Sequence, residues 1–151
     1  MGRWIGVDYG CRRIGLAWAD PGGAIASPAG AISGSGNASD DAARILKWAA
    51  EHEADGIVVG LPLNMDGTDS RQTKLSRTLA DELRRQGTLT VELWDERLSS
   101  FQADQHLDLA QVRPARRQAL RDALAAQVIL QTFLDARRHD APPADPPVEA
   151  D

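Results

Sequence analysis

The sequence predicts an α/β domain, a mixed five-stranded sheet flanked by helices. Three observations lead to it. Short apolar segments separated by turn residues crowd the first 32 positions, later segments alternate between strand-like and helix-like apolar spacing, and one later run is apolar without interruption. Hairpins first and strand–helix alternation second describe a sheet that starts antiparallel and continues through helical crossovers.

Gly2 to Asp8 reads as the first strand, with Ile5 and Val7 leading to an acid. The turn Tyr9-Gly10-Cys11-Arg12-Arg13 returns the chain into a second strand, Ile14 to Ala19. Asp20-Pro21-Gly22-Gly23 marks another turn, and Ala24 to Ile32 fits a third strand that Pro28 confines to an edge or a bulge. Beyond the Gly/Ser loop Ser33 to Asn37, Ser39 or Asp40 is placed to cap a helix to Glu53, with Ile45, Leu46, Ala49 and Ala50 inward. Gly56 to Leu61 has the continuous apolar character of a strand buried on both faces. The loop Pro62 to Thr68 leads into a helix ending at Gln86 with a stop at Gly87, followed by a strand over Thr88 to Trp94. Ser99 or Ser100 begins a shorter helix, and Pro114 opens a long one over Ala115 to Arg138. Residues 1–138 are expected to form one domain, and residues 139–151, rich in Pro, Ala and acids, a disordered tail.

Composition narrows the class. A chain of 151 residues suits a single core, and no run approaches the roughly 18 apolar residues of a membrane span. The first residues lack the pattern of a secretory signal, and a single cysteine, Cys11, cannot form an internal disulfide, so the expected location is the cytoplasm. Cys11 fits a small residue in a tight turn better than a reactive thiol. The net charge is −5, yet all 17 Lys and Arg lie at or before Arg138 and four of the 22 acids lie after it. Residues 1–138 are therefore near neutral, and composition neither favours nor excludes a nucleic-acid partner.

Three acids stand where a purely structural chain seldom places them. Asp8 ends an apolar strand, Glu96 follows the last strand, and Asp122 lies on the apolar side of the last helix, in line with Ala126, Ile129 and Phe133. The opposite side of that helix is marked by Arg121, Gln127, Gln131 and Asp135, expected to be exposed. A buried carboxylate requires a partner. Each acid has a local explanation: a turn with Gly10 for Asp8, a pair with Arg97 or Arg13 for Glu96, and a buried arginine pair for Asp122. If instead the fold gathers all three, they repel one another unless cations intervene. Oxygen ligands select Mg²⁺ or Mn²⁺, and no Cys/His spacing for zinc is present. Two such ions would activate water and stabilise the leaving oxygen of a phosphodiester, with Asp8 bridging them and Glu96 and Asp122 completing their shells. Neutralising Asp122 is then expected to relieve repulsion in the metal-free protein. His52, His106 and His139 read as surface residues, and the four tryptophans as packing residues.

Four segments converge on one family: Ile5-Gly6-Val7-Asp8-Tyr9-Gly10 with Arg13 to Ala17, Gly60 to Thr68, Asp95 to Ser100, and Arg121 to Ala126 with Ile129-Leu130-Gln131. Over residues 3–135 the chain resembles the YqgF family, also called RuvX, bacterial proteins described as Holliday junction resolvases and as pre-16S rRNA processing nucleases. The resemblance implies an RNase H-like fold with Asp8, Glu96 and Asp122 as a catalytic, metal-binding triad. Ser99-Ser100 stands where the family often has threonines. The implied substrate is structured precursor ribosomal RNA, with branched DNA as the alternative.

Several further groups have two explanations each. Arg12, Arg13 and Arg97 are placed to grip phosphates. Arg116 and Arg117, with Arg113 and Arg121, form either an electrostatic rail for a backbone or a solvated helix face. Asn64 and its loop either contact substrate or form a rigid turn. Ribosomal particles are a further expected partner, membranes are not, and the chain is expected to act as a monomer or homodimer. The competing functions are a non-catalytic RNA-binding or ribosome-assembly module and, less well matched to a chain of this length, an ATPase of the actin and sugar-kinase type.

Overall fold

The computed structural model describes residues 2–10, 12–98 and 113–140. Its elements are β1 (Trp4–Tyr9), β2 (Arg13–Ala19), β3 (Ala26–Ser33), α1 (Ala38–Glu51), β4 (Gly56–Leu61), α2 (Arg71–Gln86), β5 (Thr90–Asp95), a single 3₁₀ turn (Glu96–Leu98) and α3 (Pro114–Asp140). The sheet order is β3-β2-β1-β4-β5. β1 is central, antiparallel to β2 and parallel to β4, while β3 and β5 form the edges. Proline 28 behaves as a residue without an N–H must. It lies in an edge strand at a bulge, where Leu16 faces Gly30 but Ala17 faces Pro28.

Strand alternation splits the core in two. Ile5, Val7 and Tyr9 of β1 join Ile14, Leu16, Ile57 and Val59 against α1 and α2, forming the larger cluster. Apart from Trp4, the sheet's other face is built from small residues. Trp4, Ala17, Ala19 and Val58 meet Ala126, Ile129, Leu130 and Phe133 of α3. A Cβ on Gly6 would stand 2.8 Å from Leu130 Cβ and 2.9 Å from the Ala126 carbonyl, so α3 rests almost directly on the sheet backbone. Alternation also assigns Asp8, an even-numbered residue of β1, to this α3 face.

The helix ends differ in detail from expectation. Asn37, not Ser39 or Asp40, caps α1 by accepting the Asp40 N–H at 3.0 Å, and the helix ends at Glu51. Asn37 has the extended backbone a cap requires, and Asp40 and Asp41 instead fill the acidic first turn. Ser70 and Thr73 form a reciprocal capping box that starts α2. Gly87 stops α2, but with an extended backbone at φ −127°. A Cβ there would come within 2.9 Å of Leu46 Cδ2, so a larger residue would make the end of that leucine side chain shift. α3 continues two residues past Arg138 to Asp140. Cys11, His106, the helix expected from Ser99 or Ser100, and the tail beyond Asp140 lie outside the described residues.

Two surface expectations are corrected. Gln127 and Gln131 are partly buried and serve the sheet edge. Gln131 accepts the Ala26 N–H at 2.8 Å and donates to the Ala24 carbonyl at 2.9 Å, while Gln127 donates to the Ala26 carbonyl at 3.0 Å. His52 is half-buried, stacked on Trp48 with ring centroids 4.2 Å apart. The tryptophans do pack: Trp4 is buried against Phe133, and Trp94 meets the same ring edge-on while its Nε1 donates to Thr132 Oγ1 at 2.9 Å.

Candidate active site

The site is built around the end of β1. Asp8 pairs across the sheet with Gly15 of β2. Val7 pairs with Val59, so the next residue of β4, Gly60, lies beside Asp8 on the other flank. Asp8 thus sits between two glycines, and each vacated side-chain position is filled by a residue carrying an acid. A Cβ on Gly15 would run into the backbone carbonyl of Asp122, and one on Gly60 would stand 2.5 Å from Glu96 Oε2 and 2.5 Å from Ile129 Cδ1. The two glycines seat Asp122 and Glu96 on either side of Asp8, from positions remote in sequence.

The electrostatics follow from this seating. Burial, and then the charge of Asp122, push the Asp8 carboxyl up to about 6. Burial, followed by the charges of Asp8 and Asp95, push Glu96 up to about 7. Neither acid forms an ion pair among the described residues. Asp122 does: Arg13 Nε donates to its Oδ2 at 2.9 Å, and Gln118 Nε2 donates to its Oδ1 at 3.3 Å. Asp122 thus has an arginine partner, though in an open pair and not the buried one considered for it, and among the described residues the pair considered for Glu96 is not found. Asp41 provides a contrast, since it is fully buried yet satisfied structurally by Tyr9 Oη, Ser35 N and Ser35 Oγ.

The residues that could hold a divalent cation are Asp8, Glu96 and Asp122. They supply hard oxygen donors, and two of them lie in a crowded, cation-poor seat between backbone glycines. As they stand, no three His, Cys, Asp or Glu side chains among the described residues converge closely enough to share an ion.

The other candidates have partners of their own or lie exposed. Arg97 is turned to Asp95, with Nη2–Oδ2 at 2.8 Å, and its Nη1 donates to the Met65 carbonyl at 3.2 Å, tying the Pro62–Thr68 loop to the end of β5. Asn64 Nδ2 donates to Thr68 Oγ1 at 3.0 Å, and its backbone N–H bonds the Thr68 carbonyl at 2.9 Å, so this side chain closes its own loop. That loop presents Met65 almost fully exposed. Arg12 and Arg116 are exposed, Arg117 is partly buried, and Arg116 borders an apolar cleft with Pro28, Leu120 and Ala123. Sequence reasoning passed over Gly15, Gly60 and Gln118. The glycines carried a readable signal, because glycine inside a strand marks a close approach; Gln118, an exposed polar residue of a helix, carried none.

Solved structures share the architecture. The chain is similar to Thermus thermophilus RuvC in complex with a Holliday junction substrate, with a TM-score of 0.56 and 15% identity over 93% of this chain and 98% of that one. It is also similar to the fowlpox virus resolvase in complex with substrate Holliday junction DNA, with a TM-score of 0.53 and 10% identity over 89% and 97%. The shared fold class is RNase H-like. Within that class the chain belongs to the RuvX family, described as a Holliday junction resolvase, whose model matches residues 2–136. Relatives bearing the provisional name of pre-16S rRNA nuclease include a Myxococcus xanthus protein, 43% identical over 90% of this chain and 89% of the relative. Another, from Anaeromyxobacter dehalogenans, is 44% identical over 89% and 98%. No helix among the described residues is long and apolar enough to cross a membrane.

Proposed function

We propose that this protein is a divalent-metal-dependent endonuclease that hydrolyses phosphodiester bonds in 5′-end maturation of precursor 16S ribosomal RNA, acting in the bacterial cytoplasm on ribosomal precursors. The observation that carries the reading is the seating of Glu96 and Asp122 on the two glycines flanking Asp8. A binding module has no use for repelling acids where phosphates must approach. The substrate comes from the relatives' name.

Asp8, Glu96 and Asp122 would hold Mg²⁺ or Mn²⁺, which supplies Lewis-acid activation of water and neutralises charge developing on the phosphate. The chain's own contribution is geometric and electrostatic. The glycine seats hold the carboxylates together, Arg13 at Asp122 and its chain neighbour Arg12 would offer guanidinium groups to backbone phosphates, and Arg97 braces the Pro62–Thr68 loop. Arg116 and Arg117 extend positive charge along the start of α3. A second reading, cleavage of branched DNA, is favoured by the family's description.

The test compares labelled precursor 16S RNA with a four-way DNA junction at one salt concentration, in Mn²⁺ and in chelator, for wild type and Asp8→Asn. Metal-dependent cleavage of the RNA, reduced at least about 100-fold in Asp8→Asn, is expected. Cleavage of the junction alone would move the function to DNA, and binding without cleavage of either would remove the enzymatic reading.

A further inference from the structure

We propose that Arg13 is a positioning residue that stands in for the cation at Asp122 and is released toward a substrate phosphate when the cation arrives. The inference rests on the nuclease reading above and concerns how its site is loaded.

Among the described residues, Asp122 is the one of the three acids engaged by a guanidinium, and Gln118 occupies its other oxygen. With both oxygens directed to protein donors, the triad is incomplete, consistent with the lack of a three-ligand cluster among the described residues. The ion pair is not what places Asp122. The helix backbone at this residue is already fixed against Gly15. Nor is the pair locked, since the Arg13 side chain is 46% exposed and the Asp122 side chain 19%. An ion pair this open is weak and readily exchanged.

Chemistry sets the direction of the exchange. Without a cation, the guanidinium offsets part of the charge that Asp122 imposes on Asp8. A dication entering beside Asp8 attracts the same carboxylate oxygens and repels the guanidinium. Arg13 is the first residue of β2, the strand that carries Gly15, so its side chain remains beside the site after release. Its planar fork then matches a phosphate that the metal also attracts. Arg13 and the metal compete for Asp122, and by linkage whatever draws Arg13 away tightens metal binding.

The test is calorimetric titration of Mn²⁺ into the nucleic-acid-free protein, so it does not depend on turnover. Arg13→Gln is expected to bind Mn²⁺ about five-fold more tightly than wild type, with Arg13→Lys between the two. In an Asp122→Asn background the gain from Arg13→Gln should vanish, which a merely structural role would not produce. Equal or weaker Mn²⁺ binding by Arg13→Gln, or a gain that survives Asp122→Asn, would overturn the exchange while leaving the site intact. Wild-type protein that takes up no Mn²⁺, or takes it up equally well as Asp8→Asn, would instead remove the metal site itself. Should Arg13→Gln fold poorly, Arg13→Lys carries the comparison alone, and an affinity no higher than wild type overturns the exchange.

Discussion

Asp8 and Glu96 carry the heaviest electrostatic burden among the described residues. The Asp8 carboxyl rises from the usual 3.8 to about 6 in the folded protein, and Glu96 rises to about 7. Below about pH 4 these groups are protonated whether the chain is folded or not. As pH climbs, the unfolded chain releases its protons first, so the stability they confer is present at low pH and lost through pH 6 to 7. Asp8→Asn removes that loss. In chelator, the mutant is expected to melt above wild type by several degrees at pH 7.5 and by much less at pH 4.5, as read by thermal denaturation; an advantage that does not grow with pH would contradict this. The relief expected on neutralising Asp122 moves to Asp8, because Arg13 already compensates Asp122 and would lose its partner. In the sequence, Asp8 and Asp122 were legible from their misplacement on apolar elements, and Glu96 from its place just past the last strand. The guanidinium that answers one of them was not, since Arg13 and Asp122 are 109 positions apart and nothing local couples them.

The elements meet where side chains are missing. α3 can lie close to the sheet only because Gly6 and Gly15 remove the atoms in its path, and Glu96 reaches inward only over Gly60. The two site glycines should therefore fail differently. Gly15→Ala drives a Cβ into helix backbone, which cannot swing aside, and is expected to destabilise by about 1–3 kcal/mol or more. Gly60→Ala meets the ends of two side chains, Glu96 and Ile129, which can yield. It is expected to keep most of its melting temperature while cleavage falls at least about ten-fold through displacement of Glu96. Equal thermal losses in the two variants, with activity retained in Gly60→Ala, would contradict the seating. The strands themselves were readable, β4 to the residue, because continuous apolar runs and turn residues are local signals. The roles of Gln127 and Gln131 were hidden, since a polar residue on a helix looks exposed until an edge strand with unpaired backbone groups is placed beside it.

For the whole molecule, topology converts distant sequence positions into one centre. A central β1, antiparallel on one side and parallel on the other, puts β2 and β4 beside Asp8, and α3 crosses the strands from the opposite end of the chain. Alternating hairpins and helices made this class of sheet legible, and the family matches the motif resemblance. The net charge of −5 did not indicate the partner, because the acids after Arg138 mask the near-neutral balance of the rest of the chain. The central claim is that Asp8, Glu96 and Asp122 jointly bind a cation. Its most direct test is an anomalous difference map from crystals of the full chain soaked in Mn²⁺. The account requires a peak about 2 Å from carboxylate oxygens of both Asp8 and Glu96, with Asp122 turned from Arg13 toward it. Manganese bound only at other acids, with Asp122 still paired to Arg13 and no density beside Asp8, would contradict it.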